Sequence, residues 1–315
     1  MDDSPTLAVI VARRQLLCEN VVMLELEAAS DGLLPAFAAG SHIDIHLPDG
    51  LVRQYSICSD PGERHRYRIA IRRMVDGRGG SVAVHSLAVG SRVTIGMPRN
   101  AFPLVETASH SVLIAAGIGI TPLVAMAYRL RALDARFDLH FRVNRARVAM
   151  VEALTEGIPP QRVFLHAGDS RLDFDFEERI GAYGPGKHLY ICGPQGFVDA
   201  ARQAASAWPS PVVHSESFTL TPAVEGNTAF SVQTASDGAW HRVPAGKTML
   251  EVLTDAGYAI PTSCEQGICG TCRTGVLDGI PDHRDLCLST DERRSNAFIT
   301  PCCSRAMTER LVLDL

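Results

Sequence analysis

The stretch Cys264-Glu-Gln-Gly-Ile-Cys269-Gly-Thr-Cys272 decides most about this chain, and a fourth cysteine, Cys302, follows far downstream. The intervals between these cysteines are four, two and twenty-nine residues. Plant-type [2Fe–2S] sites use C-x₄-C-x₂-C followed by a distant cysteine. Two irons need four thiolates in one small volume, so three of the ligands must come from one tight loop. The spacing therefore predicts a [2Fe–2S] cluster held by Cys264, Cys269, Cys272 and Cys302.

Two glycines in this stretch, Gly267 and Gly270, supply the backbone freedom that such a loop needs. The alternatives are a zinc site or plain free thiols, although zinc sites usually show two C-x₂₋₄-C pairs or mixed Cys/His pairs. Cys303 competes with Cys302 as the fourth ligand, but only Cys302 fits the twenty-nine-residue interval. Cys303 and Cys287 are interpreted as structural thiols.

The bulk composition is that of an ordinary soluble protein. The chain has 315 residues, 46% of them hydrophobic and 21% charged, which predicts two or three domains. A net charge of −5 gives no reason to expect a nucleic-acid partner. Nine cysteines, several of them in a metal-type cluster, favour a reducing compartment. No apolar signal follows Met1, and no apolar run is long enough for a bilayer, so we expect a cytoplasmic protein without membrane contact.

The first hundred residues alternate between apolar and polar positions in short segments, at residues 21–27, 42–47, 67–71 and 92–95. Several short strands at close spacing predict a small antiparallel barrel or sandwich. Within it lie Arg53-Gln-Tyr55-Ser56 and, further on, Arg78-Gly79-Gly80-Ser81. Backbone N–H groups, a guanidinium and a hydroxyl can together bind a phosphate. Taken singly, the first motif could be a plain strand and the second a surface hairpin.

The middle of the chain alternates between strands and helices. Strands are predicted at residues 111–116, 137–143, 162–166 and 188–192, and helices at 123–133, 146–154 and 197–208. This alternation predicts a parallel sheet with helices on both faces.

Two turns follow predicted strands of this sheet, at the edge where nucleotides bind. The first is Gly117-Ile-Gly119-Ile-Thr121-Pro122, in which Pro122 takes the place of the last glycine of the dehydrogenase fingerprint G-x-G-x-x-G. The second is Cys192-Gly193-Pro194. A lone buried cysteine is normally an unreactive residue of the core. A functional role for Cys192 is therefore indicated by the Cys-Gly-Pro turn and not by the cysteine alone.

The C-terminal part begins after a linker-like stretch at residues 221–227. Strands are predicted at residues 228–234 and 239–243, and an amphipathic helix at 248–257. The sequence Pro-Asp-His-Arg-Asp at residues 281–285 is a polar loop, which could be a plain surface loop when taken alone.

These motifs resemble, in this order, those of the ferredoxin reductase superfamily. The whole chain, with P-D-H-R-D and the ending S-R-x-x-x-x-x-L-V-L-D-L at residues 304–315, closely resembles the phthalate dioxygenase reductase family. The resemblance implies a multidomain fold in three parts. They are an antiparallel β-barrel flavin domain at residues 1–103, an α/β parallel-sheet nucleotide domain at 104–222 and an α+β plant-type ferredoxin domain at 223–315.

The same resemblance implies roles for individual residues. Arg53 and Tyr55 would flank the flavin, and Ser56 would lie by its N5 atom. The flavin phosphate would be bound by the direct Arg-Gly-Gly-Ser turn, as in family members that use FMN, through Arg78, Gly79, Gly80 and Ser81. The nicotinamide would lie near Thr121 and Cys192, and Phe218 would cover the flavin ring where it docks. The turns that bind the dinucleotide would supply Gly117, Gly119, Gly193 and Pro194.

The implied function is that of a reductase component. It takes a hydride from NADH onto FMN and passes single electrons through the [2Fe–2S] cluster to a Rieske-type oxygenase or O-demethylase that acts on aromatic compounds. NADH is favoured over NADPH because no compact basic cluster for a 2′-phosphate is evident. One part of the dinucleotide site departs from the family pattern, since Asn144, flanked by Arg142 and Arg145, stands where related reductases often carry an arginine. The same electron chain could serve a cytochrome P450 or a diiron oxygenase. A non-enzymatic iron–sulfur sensor is the alternative from another class, but it leaves the flavin and nicotinamide motifs unused.

Overall fold

The structure is a computed structural model. It describes residues 5–74, 79–168, 174–218, 227–262, 265, 267–268, 270–285 and 287–315. The chain divides into two units, one formed from residues 4–218 and the other from residues 219–315.

Alternating apolar residues build an antiparallel barrel from the N-terminal part of the first unit. Its strands are β1 (Thr6–Cys18), β2 (Val21–Ala28), β3 (Ser41–His46), β4 (Val52–Ser56), β5 (Arg66–Arg72), β6 (Arg92–Gly96) and β7 (Arg99–Asn100). The order is β4-β3-β6-β1-β2-β5, with β7 paired to β3, and a bridge from Ile57 to Ile69 joins the two ends. Every second residue of β2 is buried in the interior, namely Val22, Leu24 and Leu26. Of the predicted barrel and sandwich, the barrel is therefore confirmed.

Short helices connect some of these strands. A 3₁₀ turn at Pro48–Gly50 links β3 to β4, and helix α1 (Gly80–His85) precedes β6. Gly79 adopts a left-handed conformation, with φ of 76°, directly before α1. A residue with a Cβ rarely adopts this angle. Gly79 of the predicted phosphate-binding motif therefore forms the turn that leads into α1.

A parallel sheet follows in the same unit. Its strands are β8 (His110–Ala116), β9 (Phe137–Val143), β10 (Val163–Ala167), β11 (Lys187–Cys192) and β12 (Val213–Glu216), in the order β10-β9-β8-β11-β12. The chain therefore crosses from β10 at one edge to β11 on the other side of β8. The ends of β8 and β11 form the switch point at which open α/β sheets bind ligands.

Helices cover both faces of this sheet, as predicted from the alternating pattern. They are α2 (Ile120–Ala132), α3 (Val148–Leu154), α4 (Phe176–Ile180) and α5 (Gln195–Ala204), with 3₁₀ turns at Gly117–Gly119, Arg145–Arg147, Pro160–Arg162 and Ser210–Val212. Leu123 and Met126 of α2 pack with Leu113 and Leu139 on one face. Val198 of α5 packs with the opposite face.

The barrel and the parallel sheet share one hydrophobic core. Met23, Cys58 and Phe102 of the barrel region belong to the same buried cluster as Leu123 and Met126 of α2. Burial of apolar surface, at about 25 cal/mol per Å², holds the two parts together. The flavin motifs and the nucleotide motifs are therefore parts of one structural unit.

The second unit is built around a mixed sheet. Its strands are β13 (Phe230–Thr234), β14 (Trp240–Val243), β15 (Thr274–Asp278), β17 (Phe298–Ile299) and β19 (Arg310–Asp314), in the order β14-β13-β19-β15-β17. A separate pair is formed by β16 (Pro281–Asp282) and β18 (Arg305–Ala306), and the helices are α6 (Met249–Asp255) and α7 (Thr290–Ser295). Thr248 and Glu251 form a capping box at the start of α6, which confirms the helix predicted there.

No helix in the described part of the chain is both long and apolar enough to cross a membrane.

Candidate functional site

The two predicted flavin motifs lie against each other. Arg53 in β4 passes directly over Gly80, because a Cβ added at Gly80 would lie 2.4 Å from Arg53 Cγ and 2.9 Å from its Nε. Only glycine leaves room for the arginine side chain here. The guanidinium and the glycine-rich turn are thus brought together, as a phosphate cradle requires.

Replacing Gly80 by alanine is expected to raise the dissociation constant for flavin about tenfold or more. The added methyl group displaces Arg53, and a charge-assisted hydrogen bond contributes about 1.5–3 kcal/mol. The measurement is a fluorescence titration of apoprotein with flavin. Gly184→Ala is the matched control, since a Cβ there meets nothing within 4 Å. An unchanged affinity in Gly80→Ala would contradict the cradle.

Other members of the predicted cradle have different positions. Ser81 Oγ accepts a hydrogen bond from Met74 N–H at 3.0 Å and lies 3.4 Å from Met74 O, so its hydroxyl already binds the backbone. Arg78 lies outside the described residues. Tyr55 is half-buried, and burial raises the pKa of its phenol to about 12 against the opposing effect of Arg53. The Tyr55 ring therefore stays neutral at physiological pH.

Ser56 has two polar neighbours that the sequence did not single out. His42 lies directly opposite Ser56 in β3, and the hydrogen bond from Ile57 N–H to Ser41 O makes His42–Ser56 a non-hydrogen-bonded pair, whose side chains lie close together. Nε2 of His42 and Nε2 of Gln54 are buried without a hydrogen-bond partner among the described residues. Buried polar atoms are normally paired, so this face suits a polar cofactor.

His42 is an uncharged neighbour. Burial lowers the pKa of its imidazole to about 4, assisted by the charge of Arg99 and opposed by Asp44. The alternation of β3 is the signal that could have identified it, since His42 and Asp44 fall on one face and the buried Ile43 and Ile45 on the other.

The two predicted nucleotide turns meet at the switch point of the parallel sheet. A Cβ added at Gly119 would lie 2.5 Å from Cys192 O and 2.7 Å from Gly193 N. Both contacts involve backbone, which cannot move aside as a flexible side chain can. Gly119 is therefore required for the Gly117–Thr121 turn to lie against the Cys192–Pro194 turn.

Each turn leads into a helix. Gly117 has φ of 57°, and Thr121 is buried in the first turn of α2, where its Oγ1 donates to Ile118 O at 3.0 Å. Pro194 caps α5, and its carbonyl accepts hydrogen bonds from Phe197 N–H at 2.8 Å and Val198 N–H at 3.1 Å. Backbone amide groups at this edge are well placed for a dinucleotide.

Glu216 is a second residue that sequence reasoning missed. It lies beside Cys192 in the parallel register of β11 and β12. Although Glu216 as a residue is partly exposed, its Oε2 atom is buried and has no hydrogen-bond partner among the described residues. Burial raises the pKa of this carboxyl to about 8. Its place two residues before Phe218, at the end of a strand, was the available signal.

Cys192 itself is fully buried. Burial raises the pKa of its thiol well above the ordinary value, and the charge of Glu216 adds to the effect. The side chain is thus a neutral thiol rather than a nucleophile. Phe218 is half-buried and packs against the core shared by the barrel and α2, and Asn144 is exposed at the end of β9.

In the second unit, the structure favours Cys302 over its neighbour as a cluster ligand. Gly267 N–H donates to Cys302 Sγ at 3.2 Å, so this thiol faces the predicted cluster loop. Cys303 Sγ instead lies 3.3 Å from Thr300 Oγ1 and 3.8 Å from Ser304 Oγ. The two thiols also interact with each other, and Cys302 is the one that accepts a hydrogen bond from Gly267.

Cys272 and Cys302 form a pair of buried thiols. The neighbouring thiol of Cys272, followed by that of Cys303, raises the pKa of Cys302 far above its usual range. Thiols placed so close together can both ionise only with a cation between them, which fits an iron centre. Cys264 and Cys269 lie outside the described residues, so their place in the ligand set stays a prediction.

Comparison with protein families identifies both ends of the chain. A family described as "Oxidoreductase FAD-binding domain" matches residues 8–103. A family described as "2Fe-2S iron-sulfur cluster binding domain" matches residues 235–307. The barrel is thus a flavin-binding domain and the second unit carries a ferredoxin domain.

Relatives extend the similarity over the whole chain. Vanillate O-demethylase oxidoreductase of Pseudomonas sp. (strain HR199 / DSM 7063) is 43% identical over 98% of this chain and 99% of the relative. A solved phthalate dioxygenase reductase, described as a modular structure for electron transfer from pyridine nucleotides to [2Fe–2S], is 38% identical, with a TM-score of 0.78 over 98% of each chain. A type IV self-sufficient cytochrome P450 monooxygenase is 33% identical, with a TM-score of 0.80 over 98% of this chain and 41% of the P450 chain.

The motif order, the fold and similarity above 30% along nearly the full length agree. The chain belongs to the phthalate dioxygenase reductase family of flavin and [2Fe–2S] oxidoreductases.

Proposed function

We propose that this protein is the NADH-dependent, FMN-containing reductase component of a Rieske-type aromatic-ring oxygenase or O-demethylase. The observation that carries the proposal is the contact at Gly119, where the two nucleotide turns meet on the core shared with the flavin barrel. A dinucleotide at that switch point would reach a flavin on the barrel within one structural unit. When bound, flavin accepts two electrons as a hydride and releases them singly, which suits a one-electron [2Fe–2S] acceptor.

Different residues of the first unit bind the FMN phosphate and orient the flavin ring. Arg53, with the turn at Gly79 and Gly80, binds the FMN phosphate, and Arg78 and Ser81 belong to the same proposed turn. Ser56 donates a hydrogen bond near the flavin N5 atom, beside the neutral imidazole of His42. Tyr55 lies along the ring as a neutral phenol.

The nicotinamide is held at the edge of the parallel sheet. Thr121 and Cys192 line its pocket, and Phe218 covers the flavin ring until the nicotinamide displaces it. Oε2 of Glu216 is buried and has no hydrogen-bond partner among the residues that the structure describes, so it can accept a hydrogen bond from the nicotinamide carboxamide. A neutral thiol at Cys192 adds no competing charge beside the reacting carbon.

The remaining assignments follow the same scheme. Cys264, Cys269, Cys272 and Cys302 hold the cluster, and domains at residues 1–103, 104–222 and 223–315 carry flavin, dinucleotide and cluster. The strand ranges support these boundaries, since the barrel strands end at Asn100 and β8 begins at His110. A reducing, cytoplasmic compartment suits the buried thiols of Cys58, Cys192 and Cys303.

The test uses the purified holoprotein. Extracted flavin is expected to elute as FMN, and NADH is expected to support faster dye or cytochrome c reduction than NADPH. FAD in the extract would contradict the phosphate assignment. No NADH-driven reduction in flavin-loaded protein would contradict the reductase function and favour a non-enzymatic iron–sulfur role.

A cytochrome P450 acceptor is the second candidate, because the similar solved P450 carries a region matching 98% of this chain. Stopped-flow mixing of the reduced protein with a purified Rieske-type oxygenase and, separately, with a P450 distinguishes the two acceptors. Faster electron transfer to the P450 would overturn the Rieske assignment.

A further inference from the structure

The P-D-H-R-D segment, residues 281–285, lies beside the turn that carries Cys302. Asp282 in β16 stands opposite Arg305 in β18. Arg284 N–H donates to Ser304 Oγ at 3.1 Å, so the segment continues along the residues that follow Cys302. The segment is therefore not the plain surface loop that its polar residues alone could indicate.

Cys287, which follows this segment, reaches the loop that contains Gly270. A Cβ added at Gly270 would lie 3.6 Å from both Cβ and Sγ of Cys287. Cys287 Sγ in turn lies 3.6 Å from Asp285 Oδ2. Asp285 also interacts electrostatically with Cys303, the neighbour of Cys302. Asp285 is thus placed between the two parts of the chain that supply the described cluster ligands.

The carboxylate of Asp285 is fully buried. Its side chain is 0% exposed, and Oδ2 accepts a hydrogen bond from Leu288 N–H at 2.8 Å. Among the carboxylates that the structure describes between residues 227 and 315, it is the only buried one. Arg293 Nη2 lies 3.5 Å from Oδ2, and His283 Nδ1 lies 3.7 Å from Oδ1.

The charge of Asp285 is only partly balanced. The Arg293 side chain is 37% exposed, so water screens its charge more than that of the carboxylate. Asp285 Oδ1 has no hydrogen-bond partner among the described residues. A buried acidic group with incomplete pairing is costly, which favours a functional reason for its position.

We propose that Asp285 lowers the reduction potential of the [2Fe–2S] cluster by acting as a buried negative charge, and that Arg293 opposes it. The inference rests on the proposed ligand set. Reduction adds one electron to the cluster and its four thiolates, with no bond made or broken, and leaves them one unit more negative. A nearby buried anion disfavours that added charge, whereas a nearby cation favours it. Asp285 therefore makes the reduced cluster a stronger donor to its acceptor.

The test is the midpoint potential of the cluster in the full-length holoprotein, measured by an EPR-monitored redox titration. Asp285→Asn, which keeps the shape and an oxygen for Leu288 N–H, is expected to shift the potential to a more positive value. Arg293→Gln is expected to shift it to a more negative value. Flavin reduction by NADH is expected to stay unchanged in both variants.

Asp282→Asn is the matched control. Asp282 belongs to the same segment, but it is 33% exposed and paired with Arg284 at 2.6 Å. Its replacement is expected to give a small shift that disappears at high salt, whereas the Asp285→Asn shift persists because a buried charge is poorly screened.

An unmoved or more negative potential in Asp285→Asn, with the cluster intact, would overturn the proposal. If that variant loses its cluster, Arg293→Gln decides, and an unchanged or more positive potential there overturns it. An unsubstituted protein without any [2Fe–2S] EPR signal would instead contradict the proposed function.

Discussion

Cys302→Ala is expected to abolish the visible and EPR signals of the cluster completely, whereas Cys303→Ala leaves them in place. Cys302 Sγ faces the cluster loop and accepts from Gly267 N–H at 3.2 Å. Cys303 Sγ instead contacts the hydroxyl groups of Thr300 and Ser304. Four thiolates hold a [2Fe–2S] cluster, two on each iron, so without Cys302 one iron keeps a single protein thiolate and the cluster is lost.

The measurement compares iron content, visible absorption and the EPR spectrum of the dithionite-reduced proteins. Flavin reduction by NADH serves as the internal control, because the first unit is expected to be unaffected. A cluster that survives in Cys302→Ala but disappears in Cys303→Ala would assign Cys303 as the ligand. Loss of flavin reduction in either variant would contradict the modular scheme.

The native chain is expected to lose stability as the pH rises from about 5 to about 8, and Glu216→Gln is expected to abolish this pH dependence. Burial raises the pKa of the folded-state carboxyl from 4.5 to about 8. Between these values the folded protein keeps a proton that the unfolded chain has released, so stability falls as the pH rises. The full difference is on the order of 4 kcal/mol. Glutamine carries no titrating proton and abolishes this dependence.

Urea unfolding of the first unit at pH 5 and at pH 8 measures the effect. The expected result is a drop in unfolding free energy between the two pH values that is several kcal/mol smaller in Glu216→Gln than in the native chain. Glu152→Gln, on the exposed side of α3, is the control and should keep the native difference. Equal pH dependence in the native chain and Glu216→Gln would show that the Glu216 carboxyl is not buried as described.

Strands and helices were predicted accurately where they depend on the periodicity of neighbouring residues. Alternation at residues 21–27 corresponds to β2 (Val21–Ala28), and the helix predicted at 123–133 corresponds to α2 (Ile120–Ala132). Periodicity reports which face of an element is apolar, and that property depends on neighbouring residues alone. Boundaries shifted by a few residues, because helix ends depend on caps such as Pro194, which starts α5 two residues before the predicted position.

Predictions about burial of polar groups were poorer. Residues 281–285 looked like a surface loop, yet Asp285 is buried, and neither His42 nor Glu216 was assigned a role. A polar residue in a sequence does not reveal whether segments that are distant along the chain will bury its side chain. Burial depends on long-range packing, and so do the pKa shifts that burial produces.

The sequence by itself determined the family, the order of the three functional parts and the cysteine that best fits the plant-type interval, because these rest on spacing along the covalent chain. The tertiary structure alone decided which distant residues meet. It placed Arg53 over Gly80, Gly119 against Cys192 and Asp285 beside the cysteine turns. The physical reason is that close packing permits these approaches only where a glycine leaves space or a core excludes water. Neither condition can be inferred from the residues that are adjacent in the sequence.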